Sequence, residues 1–211
     1  MIAAVISDFG GVLTTPLLEA FATVQERIDV PLEAYGAAMA YSLEHDGVHP
    51  LYALERGEIG EGDFLARLEN GLAGAAGLNV SLHGFGARLM QALRPNHELF
   101  DRYRALQRDR GLRFALCTNN VREWEPLWRP MLPIDEVFEV VVDSAFVGTR
   151  KPEPEIYALT LERLGLPGEA CAFVDDLEIN VAAANELGFH GVHFTDTGQA
   201  IAELEDLVLG T

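Results

Sequence analysis

From Pro95 onward the chain alternates between strand-length apolar runs and stretches with helical spacing, and no other feature constrains the fold as tightly. A helical pattern carrying Leu99, Tyr103 and Leu106 leads into the run Leu112-Arg113-Phe114-Ala115-Leu116-Cys117. A Trp-containing helix, the run Val140-Val141-Val142, a helix from Glu153 to Leu164 and the run Ala170–Val174 follow. A helix from about Glu178 to Leu187, a strand Gly191–Phe194 and a last helix near 198–208 complete the series. Strands separated by helices of roughly 10–15 residues predict an α/β fold with a parallel, doubly wound sheet. The ligand site of such a sheet lies at the carboxyl ends of its strands.

The N-terminus supplies one more strand. Ile2-Ala3-Ala4-Val5-Ile6-Ser7 is too short and too rich in β-branched residues for a helix, and Gly10-Gly11 stop it. It delivers Asp8 into a glycine-rich turn. A buried, unpaired carboxylate costs several kcal/mol, so a charge in that position calls for a partner or a use. Asp8, Thr118 and the pair Asp175-Asp176 each follow a predicted strand, so one edge of the sheet gathers all of them.

Between the first strand and residue 112 the sequence has no good strand. Leu17, Phe21, Val24 and Ile28 recur at helical spacing, the pattern continues through Leu32–Leu43, and Phe64, Leu68 and Leu72 repeat it. Glycine turns such as Arg56-Gly57-Glu58 join these helices, and a glycine-rich stretch from Gly71 to Gly86 closes the block. With 211 residues and 49% hydrophobic content the chain can bury a full core, as one domain with an insertion or as two small ones.

Composition excludes several partners. A formal charge of −18 argues against nucleic acid and against an anionic membrane. No apolar stretch approaches the roughly 18 residues of a membrane span. The first residues lack the basic region and small-residue cleavage site of a signal peptide, so a cytoplasmic location is expected. Cys117 and Cys171 sit in apolar runs and read as reduced core thiols. The chain has fourteen arginines and a single lysine, Lys151, in the segment Thr149-Arg150-Lys151-Pro152-Glu153-Pro154. A lone lysine there marks a site that wants a compact ammonium instead of a planar fork.

Three carboxylates at one sheet edge are untenable without a cation, and hard oxygen ligands in an open site suit Mg²⁺. The metal and the Lys151 ammonium together keep Asp8 ionised and nucleophilic. Thr118, followed by Asn119 and a helix start, offers a hydroxyl and N–H groups to an anion. Arg122 and Arg150 add positive charge nearby. These are the parts of a phosphoryl-transfer site, with a small phosphorylated metabolite as partner.

Four segments together resemble the haloacid dehalogenase-like hydrolases. They are Asp8-Phe9-Gly10-Gly11-Val12-Leu13, Thr118-Asn119-Asn120, Lys151-Pro152-Glu153-Pro154-Glu155-Ile156-Tyr157, and Val174-Asp175-Asp176 with Asn180, Ala184, Asn185 and Gly188 behind it. The nearest likeness is to bacterial sugar-1-phosphate phosphatases and the N-terminal phosphatase domain of soluble epoxide hydrolases. The resemblance implies a Rossmann-like core of residues 1–15 and 88–211 with an inserted helical cap of residues 16–87. It implies a phospho-aspartyl nucleophile at Asp8, phosphate binding by Thr118 and Asn119 with Arg150 nearby, and Lys151 bridging nucleophile and phosphate. Mg²⁺ is then held by Asp8, Asp175, Asp176 and the Gly10 carbonyl.

One position departs from the pattern. Most phosphatases of that family carry a second Asp two residues after the nucleophile as the proton shuttle, and here that residue is Gly10. General acid–base help is worth about 10²–10⁴-fold, so either the rate is lower, or the leaving group departs with little assistance, as an anomeric sugar phosphate does, or another group or a water substitutes. A phosphonate hydrolase needs a cap lysine, which this chain lacks. A metal-independent haloacid dehalogenase and a catalytically weakened binding protein are the alternatives to a phosphatase.

Overall fold

A computed structural model describes residues 1–25 and 30–209. Ile28, expected to continue the first helix, lies outside them. The five strands β1 (Ala4–Ser7), β2 (Arg113–Thr118), β3 (Val140–Asp143), β4 (Cys171–Asp175) and β5 (His190–His193) form one sheet in the order β3-β2-β1-β4-β5. Every pairing in it is parallel. This is the predicted α/β architecture, with strand ends shifted by a residue or two.

Side-chain alternation explains why the sheet is covered on both faces. Val5, Phe114, Leu116, Ala172 and Val174 point into one core, which also takes Leu99, Tyr103, Ala200 and Leu204. Ala4, Ile6, Ala115, Cys117 and Phe173 point into the other, with Ile156, Tyr157 and Ala184. Helices α6 (His97–Arg110) and α12 (Thr197–Leu209) therefore pack on one side, and α10 (Pro154–Leu164) and α11 (Glu178–Glu186) on the other. Both cysteines are buried and free, and burial pushes each thiol up to about 11.

Between β1 and β2 the chain forms α1 (Leu17–Gln25), α2 (Leu32–Asp46), α3 (Pro50–Glu55), α4 (Glu61–Ala76) and α5 (Phe85–Ala92). The two crossings into and out of this helical block run side by side. Thr14 bridges Pro95, the Thr15 amide donates to the Arg94 carbonyl, and the Asn96 amide donates to the Leu13 carbonyl at 2.8 Å. Helix α5 arises inside the glycine-rich stretch and beyond it, so the expected boundary at residues 87 and 88 falls within a helix. Gly84 and Gly86 conceal the apolar face of Phe85, Leu89 and Met90.

The Trp-containing helix is a correction. Residues 122–137 form a 3-10 turn at Arg122–Trp124, the short helix α7 (Glu125–Trp128), a second 3-10 turn and the short helix α8 (Ile134–Val137). Pro126, Pro130 and Pro133 each lack an amide hydrogen, so no continuous helical ladder can run through the segment. A further one-turn helix, α9 (Ser144–Val147), follows β3. Among the described residues no helix is long and apolar enough to cross a membrane.

Candidate active site

The sheet changes winding direction beside β1: the chain runs from β1 to β2 and β3 on one side, then returns to β4 on the other. Asp8 and Asp175 stand at the carboxyl ends of the two strands that flank this switch, where ligands of open α/β sheets bind.

Asp8 is anchored before its side chain does anything. Its amide donates to the Val174 carbonyl at 2.9 Å, and its carbonyl accepts from the Ser7 hydroxyl at 2.8 Å. Ser7 in turn accepts from Tyr103 at 3.2 Å. Asp8 Oδ1 accepts from the Phe9 amide at 2.7 Å and lies 2.8 Å from Lys151 Nζ. Lys151 Nζ also donates to Asp175 Oδ2 at 2.6 Å, so one buried ammonium ties the ends of β1 and β4 together. The other Asp175 oxygen accepts from the Leu177 amide and from Asn180 Nδ2, both at 2.9 Å. Asp176 completes the group: Asp8, Asp175 and Asp176 each offer an oxygen within 4.8 Å of the others.

Two neighbours place these groups. Asn119 clamps the Lys151 backbone in both directions, donating from Nδ2 to its carbonyl at 2.9 Å and accepting its amide on Oδ1 at 2.8 Å. Gly11 has φ +82°, and a Cβ there would fall 2.2 Å from Asp176 Oδ2, so only glycine leaves room for that carboxylate.

The electrostatics are those of a site short of positive charge. Burial pushes Asp8 up to about 7, with Lys151 pulling the other way and Asp175 and Asp176 adding to the rise. Asp176 is pushed up to about 6 by burial and then by Asp175. Desolvation alone would lower Lys151, but Asp175 and Asp8 outweigh it and hold the ammonium above its ordinary range. Three carboxylates around one ammonium, all of them hard oxygen donors, fit a divalent ion such as Mg²⁺.

Of the remaining residues singled out in the sequence, Thr118 ends β2 and lines a cavity that Gly10, Asn119 and Asn120 also border. Arg150 is not brought to the carboxylates. Its Nε donates to Glu55 and its guanidinium lies 4.1 Å from the centre of the Tyr52 ring, so it joins the core to α3. The adjacent Arg56 pairs with Glu153 in the same seam. Arg122 donates to the Ala145 carbonyl at 2.7 Å.

The sequence reading assigned no role to Asn180, although it stands five residues after Asp175, in the first turn of α11. Glu55 is partly buried at the end of α3, and desolvation raises its carboxyl against the pull of Arg150.

The cavity occupies about 230 Å³ between the helical block and the loops after β1 and β2. Its walls are almost wholly aromatic and aliphatic, with Phe21, Met39, Phe64, Leu89, Trp124 and Trp128 among them.

A family model of the haloacid dehalogenase-like hydrolases matches residues 2–188. Bifunctional epoxide hydrolase 2 of Rattus norvegicus is 29% identical over 140 residues, which are 63% of this chain and 24% of that protein. Sesquiterpene phosphatase astK of Aspergillus oryzae is 31% identical over 123 residues, 55% of this chain and 59% of that protein. The chain thus spans less than two thirds of the length of either relative. A HAD-like family hydrolase from Porphyromonas gingivalis has the same fold, with a TM-score of 0.68 at 24% identity over 97% of this chain and 98% of that one. With the family model covering all four motif segments and the fold agreeing end to end, the chain belongs to the haloacid dehalogenase-like hydrolases.

Proposed function

We infer that the protein is a Mg²⁺-dependent phosphomonoesterase working through an aspartyl phosphate on Asp8. One observation carries the reading: Asp8, Asp175 and Asp176 converge within 4.8 Å at the strand-switch point with Lys151 between them. The name of the Aspergillus relative, a phosphatase, supports it. Asp8, Asp175, Asp176 and the Gly10 carbonyl would hold the metal, which when bound neutralises charge on the phosphoryl oxygens.

The chain's own residues do the rest. Asp8 attacks phosphorus through the oxygen that Lys151 does not hold. A new P–O bond forms, the bond to the alcohol oxygen breaks, and the alcohol leaves with a proton from solvent. Water then attacks the same phosphorus, releasing inorganic phosphate and the free carboxylate. Lys151 holds Asp8 and Asp175 and faces the phosphoryl oxygens, and Thr118 adds a hydroxyl donor. The helical block over this edge acts as the cap.

The metal-independent dehalogenase is the second reading, because it uses the same nucleophile. The convergence of Asp175 and Asp176 on Asp8 favours the phosphatase. The decisive assay measures 4-nitrophenyl phosphate hydrolysis with Mg²⁺ and with chelator, beside halide release from 2-chloropropionate. Hydrolysis that needs Mg²⁺ and falls more than about a hundredfold in Asp8→Asn is expected. Halide release indifferent to chelator would replace this reading with the other.

A further inference from the structure

Resting on the phosphomonoesterase reading, we propose that the alcohol half of the substrate is apolar, about eight carbons in size, and seated in the cavity beside Thr118. The cavity has two unlike ends. Its polar border is made by Gly10, Thr118, Asn119 and Asn120, which are the residues next to the nucleophile and the Lys151 clamp. Away from that border the wall is mainly aromatic and aliphatic, drawn from α1 to α5 and from the two tryptophans.

Among the described residues Glu55 is the one charged side chain in the lining, and Arg150 already holds its carboxylate. Tyr35, Trp124 and Trp128 each bring one unpartnered polar atom to this wall, too few for the several hydroxyls of a sugar, and every hydroxyl left against the hydrocarbon remainder carries a penalty. The anomeric sugar phosphate expected from the sequence therefore suits this wall poorly. An alkyl, isoprenoid or aromatic group gains from the same burial. At about 30 Å³ for a water-sized group, 230 Å³ holds roughly eight such groups.

Gly10 belongs to this arrangement as well as to the catalytic turn. A Cβ there would come within 3.2 Å of Leu17 Cδ1, and Leu17 is itself part of the lining. Where most family phosphatases place a carboxylate, this chain leaves the cavity mouth uncharged.

The experiment is calorimetric titration of the full chain, with Mg²⁺ present, by n-alkylphosphonates from ethyl to decyl, which cannot be hydrolysed. Affinity should rise about three- to fourfold per methylene and level off near octyl. Leu51→Ala, which enlarges the wall, should move the levelling point to longer chains. Met39→Arg should collapse the octyl-to-ethyl ratio toward one, read within the variant after its melting curve is checked. Affinity that is flat or falls along the series, or glucose 1-phosphate displacing a ligand better than octyl phosphate does, overturns the proposal.

The kinetic counterpart uses phenyl phosphates with para-alkyl chains, whose leaving-group acidity is nearly constant. Turnover of phenyl phosphate without any gain from the chain sinks the apolar seat and leaves the phosphatase reading standing. Chain-dependent phosphonate binding without turnover does the reverse. No binding at any length removes both.

Discussion

Gly10 and Gly11 are neighbours with opposite constraints. Gly11 lies at φ +82° against Asp176, whereas Gly10 is not among the residues at positive φ, and its nearest obstacle is the half-exposed Leu17 side chain. Gly10→Asp is therefore a fair test of the missing proton shuttle: the backbone accepts it and Leu17 yields by a few tenths of an ångström. The variant should raise the rate for simple alkyl phosphates by about tenfold or more and change aryl phosphates little. Steady-state kinetics on both classes decide it, and equal rates for the two classes in the wild type would mean that another group already supplies the proton. Residues placed by the end of a strand, such as Asp8, Thr118 and Asp175, are legible in the sequence, because the apolar run before each of them announces the strand. Asn119 and Arg150 are less so, because their partners lie 32 and 95 residues away in the chain. A short polar motif does not say which distant backbone or helix it will meet.

Among the elements, the turn from α3 to α4 decides how the helical block sits on the core. Gly57, at φ +66°, lies so close to α9 that a Cβ would fall 2.2 Å from the Ala145 carbonyl oxygen. Glu55 and Arg56, just before Gly57, pair with Arg150 and Glu153. Gly57→Ala must push this turn off the core and force a strained backbone, so a loss of about 1–3 kcal/mol is expected, read as a lower melting temperature. A melting curve identical to wild type would show that the seam is not held there. The same region shows where periodicity fails as a guide. The strands and the long helices announce themselves by spacing, but α3, α5 and α9 are short or glycine-flanked, and the tryptophan segment looks helical until its three prolines are counted.

For the molecule as a whole, buried acids set an unusual response to pH. Asp143 caps α9 by accepting the Ala145 amide at 3.0 Å, while its second oxygen is buried without a partner. Burial pushes it up to about 6, with Glu125 adding to the rise and Arg129 and Arg122 opposing. A carboxyl whose folded pKa exceeds its unfolded 3.8 holds its proton more tightly when folded. The stability it contributes is complete below about pH 4 and is lost as pH rises through about 6. Asp143→Asn keeps the cap and removes the ionisation, so it should flatten that part of the profile by at most about 3 kcal/mol in urea titrations at pH 4.5 and 7. An unchanged slope would place the lost stability in other groups. Lys151 bears on the whole molecule differently. It is the single lysine of the chain, 1% exposed, and gripped by two carboxylates. Amine-directed reagents thus find no lysine on the folded surface, and acylation of this side chain becomes a clock for opening of the active site. Its labelling with a succinimidyl ester, followed by mass spectrometry, should proceed only as fast as that opening and should slow further when Mg²⁺ and phosphate are added; prompt native-state labelling would show that the sheet edge breathes freely. A chain built almost entirely on arginine carries, at the one place it uses an amine, its own chemical reporter.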